Sequence, residues 1–216
     1  KLRLLRLQFA LRRRKTADIL AGSVTNEQSE PTIREYLAER GFSKAFVERF
    51  AEPFYGGITL DRSLGTSSSV FEYTFKMLSR GETAVPAEGM AAIPEQLRDR
   101  ALAAGASVET GVAVTAVETG DGDIVVRTDN GDRSPDAVVV AADPNAAAEL
   151  TGVSTPTDAN ACTTVHCSLP AHQSLDTGSR IVLNAADSRP NTVAPMSAVA
   201  PEYAPDDRQL LSATFL

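Results

Sequence analysis

The sequence contains no tryptophan, two histidines and two cysteines in 216 residues. Imidazole bases and thiols are therefore scarce, and neither a Gly-x-Ser-x-Gly nor a His-Glu-x-x-His pattern occurs. A Walker A loop is also missing from the sequence. Gly120-Asp-Gly122 begins like a dinucleotide fingerprint, but position 125 is valine, so this segment predicts a hairpin turn. Hydrolase and nucleotidase functions thus have no motif to support them.

Long hydrophobic runs are absent too. No uninterrupted apolar segment approaches the ~20 residues that a membrane-spanning helix needs. The N-terminus is basic and leucine-rich, but its charges alternate with its leucines, unlike the separate regions of a signal peptide. We therefore predict a cytoplasmic location.

The basic N-terminus suits an anionic membrane surface, which would make the protein membrane-peripheral. A solvated face on a packed helix is the other interpretation. The basic residues of this stretch are Lys1, Arg3, Arg6, Arg12, Arg13, Arg14 and Lys15.

Positive charge is in the minority over the whole chain. The formal net charge is −7 and the isoelectric point is near 4.9. Nucleic-acid phosphates would be repelled, so we predict no nucleic-acid partner. Lysine is especially scarce, and none follows Lys76.

The two cysteines, Cys162 and Cys167, lie five residues apart in one predicted strand. An odd offset in a strand places side chains on opposite faces, so a disulfide between them is not expected. His166 lies between them, but two thiols and an imidazole that face different ways make a poor metal site. We predict two free thiols and no metal.

The first 80 residues are predicted to be mostly helical. Leu4, Leu7 and Leu11 share one helix face, and Thr32 with Glu35 has the spacing of a capping box. Pro53 is expected to stop the third helix, which leaves a loop over 54–57. The predicted helices cover residues 1–21, 32–40, 44–52 and 67–79.

Composition changes near residue 84. A loop over 84–90 leads into a predicted helix ended by Gly105, and two turns, at 120–123 and at Asn130-Gly131, predict β-hairpins. Asp143-Pro144 has the pattern of a helix N-cap and first turn, for a helix through Leu150. The predicted strands of this segment are 107–109, 113–118, 124–128 and 137–142.

Strand patterns dominate after Thr151. Short runs rich in valine, threonine and leucine alternate with loops rich in proline and aspartate. Helices in the first part and strands in the last predict an α+β fold. The predicted strands here are 161–169, 180–184, 192–199 and 209–216.

Several short motifs occur in an order that is more specific than any one of them. They are Gly41-Phe-Ser43, Phe50-Ala-Glu-Pro-Phe-Tyr-Gly-Gly57, Phe71-Glu-Tyr-Thr-Phe75, Pro86-Ala-Glu-Gly-Met-Ala-Ala-Ile-Pro94, Val114-Thr-Ala-Val117, Val138-Val-Val-Ala-Ala-Asp-Pro144 and the segment 194–205. In this order and spacing the sequence resembles the flavin-containing amine oxidoreductases, and within them the phytoene (carotenoid) desaturase-like branch.

The resemblance implies a domain organisation. Residues 1–83 would be the helical part of a substrate domain, 84–150 an excursion from an FAD-binding domain with a helix and a β-meander, and 151–216 the strand part of the substrate domain. The family's glycine-rich Rossmann motif would precede Lys1, and its closing FAD segment would follow Leu216.

The resemblance also assigns cofactor contacts. At the position of Val114 the family's main-chain groups bond the adenine edge of FAD, although an ordinary core strand explains valine equally well. Ala141 and Ala142 match small residues that let the cofactor approach the backbone, and tight strand packing is the alternative. Gly89 and Met90 match a loop that passes near the flavin, where Gly89 could also be a turn glycine.

The substrate is less well defined by sequence. Phe54 and Tyr55 are candidate linings of an apolar substrate channel, with a place in the core as the alternative. Many amine oxidases place a lysine near the flavin, and the candidate strand 161–168 has none. The resemblance thus implies an FAD-dependent oxidoreductase that passes hydride from an apolar, lipid-like small molecule to flavin. The alternative is a non-catalytic interaction or membrane-docking module.

Overall fold

The computed structural model of the chain describes residues 2–19, 30–120, 122–156, 158–173, 175–186 and 189–216. Its helices and antiparallel sheets confirm the α+β class. The chain divides into two compact units. Unit 1 comprises Lys1–Ala92 and Asn160–Leu216, and unit 2 comprises Ile93–Ala159.

Helix α1 (Leu2–Arg13) buries Leu7 and Leu11, as its leucine spacing predicts. The expected single helix over 1–21 is wrong at residues 14–15, where the helix breaks before helical residues 16–19. At the break the carbonyl of Arg14 accepts a bond from Lys76 Nζ, so this backbone group has a partner outside the helix. The last two residues of the prediction lie outside the described part of the chain.

Helix α2 (Ile33–Glu39) begins with the predicted capping box. Thr32 accepts from the main-chain N–H of Glu35 at 3.2 Å, and the Glu35 carboxylate accepts from the Thr32 N–H at 2.8 Å. Two N–H groups of the first turn are thereby satisfied. Gly41 follows the helix and has a φ of +66°. The Arg3 guanidinium occupies the space that a Cβ atom at Gly41 would need.

Helix α3 continues where sequence predicted a stop at Pro53 and a loop over 54–57, so both predictions are wrong. It runs through Lys44–Phe46, a π-helical segment Val47–Ala51 and Glu52–Thr59. In the π-helical segment the N–H of Glu52 donates to the carbonyl of Val47, five residues back. This wider turn directly precedes the proline, whose ring otherwise clashes with the carbonyl one turn earlier.

Two glycines inside α3 allow other parts of the chain to pack closely against the helix. A Cβ on Gly56 would lie 2.9 Å from the Arg62 Cα, and one on Gly57 would lie 2.9 Å from Asn191 Nδ2. Real Cβ atoms do not approach that closely, so glycine is needed for contact across the helix surface. The Gly-Gly pair therefore reflects close packing of a helix, not a loop.

Helix α4 (Ser68–Leu78) forms within the predicted range 67–79, with Ser67 as its N-cap, and it completes the core. Phe71 is fully buried between Tyr36 and Tyr55, with ring centroids at 5.6 and 4.6 Å. The residues of the buried hydrophobic cluster all come from the first 71 positions, which makes the helical part the main hydrophobic centre. They are Leu7, Leu11, Ile19, Ile33, Tyr36, Leu37, Ala51, Tyr55, Leu64 and Phe71.

The described strands of unit 1 are β3 (Thr163–Pro170), β4 (Val182–Leu183), β5 (Thr192–Pro195) and β6 (Arg208–Phe215). They form one antiparallel sheet in the order β3-β6-β5-β4. All four predicted strands are present, but β4 is shorter than expected. The strand predicted to run to Val199 ends at Pro195 and is followed by a helical turn, Met196–Val199.

Unit 2 contains helix α5 (Ala92–Ala103, whose first residue belongs to unit 1), the hairpin strands β1 (Val114–Gly120) and β2 (Asp123–Thr128), and helix α6 (Pro144–Thr151). The predicted helices, the hairpin turn at 120–123 and the Asp143 N-cap are confirmed. After Asn130-Gly131 the chain makes a single bridge, Arg133 to Val126.

The strands predicted at 107–109 and 137–142 are wrong, since neither segment is assigned as strand. A strand requires a hydrogen-bonded neighbour, and in the described chain neither segment has one. Val139 is 90% exposed. Indeed, no described residue from 93 to 159 is fully buried.

Among the described residues, no helix is both long enough and apolar enough to cross a membrane.

Candidate functional site

Val114, the predicted adenine-side residue, is the first residue of β1. It pairs with Thr128 across the hairpin, and an irregularity in the register follows between Val114 and Ala116. The turn before the strand is held by Asp129, whose carboxylate accepts from the Ala113 N–H at 3.1 Å. Val114 is 44% exposed, so its side chain is not part of a core within unit 2.

Strand β1 is paired along one edge only, because the sheet of unit 2 has two described strands. The other edge therefore presents N–H and C=O groups without a strand neighbour. An extended edge of this kind can bond the donor and acceptor edge of a heterocycle or another strand.

Ala141 and Ala142 lie in the irregular segment before α6, and both are exposed. Helix α6 packs against β1, so the segment and Val114 belong to the same unit. The carboxylate of Asp143 accepts from the N–H groups of Asn145 and Ala146 at 3.0 and 3.1 Å, which fixes the start of the helix. The small side chains thus leave the backbone before α6 accessible.

Gly89 and Met90, the predicted flavin-side residues, occupy a tight turn in unit 1. Gly89 has φ +88° and donates to the Pro86 carbonyl at 3.1 Å. No atom lies within 4 Å of the place where its Cβ would be, and Met90 is 64% exposed. Tyr203, which sequence reasoning missed, anchors this turn by donating from its hydroxyl to the Pro86 carbonyl at 2.6 Å.

Phe54 and Tyr55 have different environments. Tyr55 is 1% exposed in the core, and burial raises the pKa of its hydroxyl. Phe54 is half-buried and stacks on Phe50 with centroids 5.2 Å apart. Their role in substrate binding stays a prediction, and of the two only Phe54 has surface to offer a ligand.

Phe54 ends a row of four phenylalanines that the sequence analysis did not single out. The row consists of Phe42, Phe46, Phe50 and Phe54, and neighbouring ring centroids are 4.8, 5.3 and 5.2 Å apart. Each ring keeps some exposure. Phe42 lies just before α3 and the other three lie within it, and we call this set the phenylalanine row of α3. A period of four residues is the signal that could have revealed it, because residues four apart in a helix are neighbours on its surface.

A buried charged cluster was also missed. The Glu72 side chain is 8% exposed, and its carboxylate accepts from the Tyr36 hydroxyl at 2.5 Å and pairs with Arg14. Burial first, and then the bond to Glu72, raise the pKa of Tyr36. The Arg40 guanidinium lies 3.6 Å from the centre of the Tyr36 ring. The cluster joins the end of α1 to α2 and α4.

Cys162 and Cys167 are both free and exposed. His166 is exposed as well. No group of three or more metal-binding side chains occurs in the described part of the chain.

Two solved structures resemble the chain in fold. An oxidoreductase from Methanosarcina mazei matches with a TM-score of 0.68 and 21% identity, over 93% of this chain and 50% of that one. A proposed protoporphyrinogen oxidase from Exiguobacterium sp. 255-15 matches with a TM-score of 0.60 and 18% identity, over 93% of this chain and 49% of that one. The fold is therefore one found among oxidoreductases, and the chain spans about half the length of these structures.

The family model of the flavin containing amine oxidoreductases matches residues 1–216. The chain belongs to this family, which confirms the resemblance to the flavin-containing amine oxidoreductases. None of the curated protein sequences matches it significantly.

Proposed function

We propose that this chain is part of an FAD-dependent oxidoreductase of the phytoene desaturase-like type, which passes a hydride from an apolar substrate to flavin. The observation that carries the proposal is the family match over the whole chain, together with accessible main chain at the residues assigned to the cofactor. Flavin, when bound, supplies the hydride acceptor. The residues of this chain position it and shape the substrate site.

The candidate cofactor residues suit a flavin nucleotide in chemical terms. The unpaired edge of β1 offers main-chain donors and acceptors to the adenine. The open space at Gly89 and the small side chains of Ala141 and Ala142 permit close approach to the backbone.

An apolar substrate is supported by the phenylalanine row of α3. Its four partly exposed rings lie next to one another, and together they give an apolar surface. Oxidation of a hydrocarbon needs a dry, shaped surface more than it needs acid–base side chains. Many amine oxidases place a lysine near the flavin, and this sequence has no lysine after Lys76. That absence favours a hydrocarbon substrate over an amine.

Cofactor uptake gives the first test. We expect the full-length protein to purify yellow. The 216-residue chain should take up no FAD at micromolar concentration, since a few main-chain hydrogen bonds of about 0.5–1.5 kcal/mol each barely offset the cost of association, about 4 kcal/mol or more. Titration calorimetry of the chain with FAD checks this, and a micromolar or tighter dissociation constant would contradict it.

A matched pair of variants tests the role of Val114 in the full-length protein. Val114→Pro removes the main-chain N–H, whereas Val114→Ala keeps it and shortens the side chain. Proline is tolerated as the first residue of a strand, so the hairpin should persist. We expect Val114→Pro alone to lower FAD retention, about tenfold for the loss of one hydrogen bond. Equal retention by the two variants would refute the adenine contact.

A further inference from the structure

Helix α1 has a second apolar face that the core does not use. Leu2, Leu5 and Phe9, which we call the outer stripe, are 64%, 60% and 60% exposed. Leu2, Leu5 and Phe9 have the same spacing as Leu4, Leu7 and Leu11, and each lies two positions earlier in the sequence. At 3.6 residues per turn, an offset of two residues places the outer stripe on the side of the helix opposite Leu7 and Leu11.

Basic side chains flank the outer stripe on both sides. By the same helical geometry Arg12 lies on one side of it, and Arg6 and Arg13 lie on the other. The Arg13 guanidinium is 4.5 Å from the centre of the Phe9 ring, so charge and apolar surface are in direct contact. None of the three arginines has an ion pair among the described residues.

The charge of α1 contrasts with that of the whole protein. Residues 2–15 contain no acidic side chain, whereas the chain as a whole carries a net charge of −7. A basic, leucine-rich stretch in an acidic chain is not accounted for by solubility, and arginines beside exposed leucine and phenylalanine are typical of helices that lie in a lipid interface. An acidic protein partner would match the charge but would not require the exposed hydrocarbon side chains.

A cavity lies next to the outer stripe. It has a volume of about 430 Å³, and its lining residues are Leu2, Arg3, Leu4, Gly41, Phe42, Ser43 and Phe46. Leu2 of the outer stripe therefore borders a cavity that reaches Phe46 of α3 within unit 1. A lipid surface at α1 would place hydrocarbon at the beginning of the phenylalanine row.

We propose that α1 docks the protein onto an anionic lipid bilayer, with the outer stripe inserted among the acyl chains and the flanking arginines bound to lipid phosphates. The docking does not depend on the cofactor. It requires only that the outer stripe be accessible in the full-length protein.

Sedimentation of the full-length protein with vesicles tests this proposal. The vesicles contain phosphatidylcholine alone or phosphatidylcholine with phosphatidylglycerol. We expect binding to the anionic vesicles, and weaker binding at high salt because exposed charges are screened. The paired variants Leu5→Gln/Phe9→Gln and Arg6→Gln/Arg12→Gln should each reduce the partition coefficient about tenfold or more.

The matched control is Ile93→Gln/Leu97→Gln, which removes two exposed apolar side chains from α5 instead. It should bind as the unmodified protein does, and thermal unfolding should show that every variant is folded. Equal loss with the control, or equal binding to neutral vesicles, would overturn the proposal. So would an absence of binding, the result expected if protein covers the outer stripe. FAD content, measured on the same samples, separates this outcome from a failure of the cofactor proposal.

Discussion

The side-chain amide of Asn191 donates from Nδ2 to the main-chain oxygen of Pro53 at 3.0 Å, although the two residues are 138 positions apart. Its Oδ1 accepts from Arg62 Nη1 at 2.8 Å. Asn191 is 3% exposed, so both bonds are shielded from water. This residue connects α3 to strand β5.

Replacing Asn191 by alanine should destabilise the protein by about 1–3 kcal/mol, because the Pro53 carbonyl and the Arg62 guanidinium lose a shielded partner. Asn191→Asp should also destabilise, since its carboxylate cannot donate to the carbonyl. Urea unfolding measures both changes. If both variants had the stability of the unmodified protein, the connection would be energetically unimportant.

Gly56→Ala should destabilise the protein by about 1–3 kcal/mol, as overpacking does. Helix propensity alone would favour alanine by about 1 kcal/mol, so the sign of the change reports the close contact with the Arg62 backbone. Gly81→Ala is the control, because the nearest atom to its Cβ would be at 3.9 Å. Thermal unfolding should show a loss for the first variant only.

Glu72→Gln should lower the free energy of unfolding by about 1–3 kcal/mol, because the buried carboxylate loses its charge-assisted bonds while the Arg14 side chain, 46% exposed, can be solvated. Tyr36→Phe should cost less, about 1–2 kcal/mol, because it removes one hydrogen bond. Glu48→Gln is a surface control, since its pair with Lys44 is largely solvated. Chemical unfolding distinguishes the three, and similar losses for Glu72→Gln and Glu48→Gln would contradict a buried cluster.

The turn after α3 should weaken in acid. Bonds from the Ser63 hydroxyl, and from the N–H groups of Gly65 and Ser63, hold the pKa of Asp61 below its ordinary value. A depressed carboxyl pKa stabilises the fold above the unfolded value of about 3.9, and this contribution is lost as pH falls through the folded value. The free energy of unfolding of the unmodified protein should exceed that of Asp61→Asn at about pH 6, and this difference should become smaller as the pH falls to about 3. Asp206→Asn, at an exposed site, is the control; a constant advantage would refute the role of ionisation.

Both cysteines should react with a thiol reagent in the folded protein without prior reduction, because each side chain is free and exposed. Mass spectrometry after labelling should find two additions. Labelling only after denaturation would show that the thiols are covered, and no labelling at all would show that they are not free.

Local signals predicted those elements whose causes are local. The capping box of Thr32 and Glu35, the Asp143 N-cap before Pro144 and the hairpin at 120–123 each depend on residues within four positions. The structure confirms all of them. The family resemblance was likewise detectable, because the order and spacing of the motifs are properties of the sequence and need no knowledge of contacts.

The failures concern contacts between distant residues. Gly57 packs against Asn191, far along the chain, and the Glu72 cluster joins three helices. Neither leaves a short-range pattern. The segment 137–142 has the composition of a strand, but pairing with a neighbour, not composition, decides whether a strand forms.

The bond between Asn191 and Pro53 also orders events during synthesis. Translation proceeds at about 5–20 residues per second, so Asn191 emerges roughly 7–28 s after Pro53. Helices α1, α2 and α4 share their core within the first 78 residues and have the partners they need long before that. The Pro53 carbonyl therefore lacks its Asn191 partner during this interval, and a chain whose synthesis stops between residues 92 and 160 has the helices of unit 1 without its sheet.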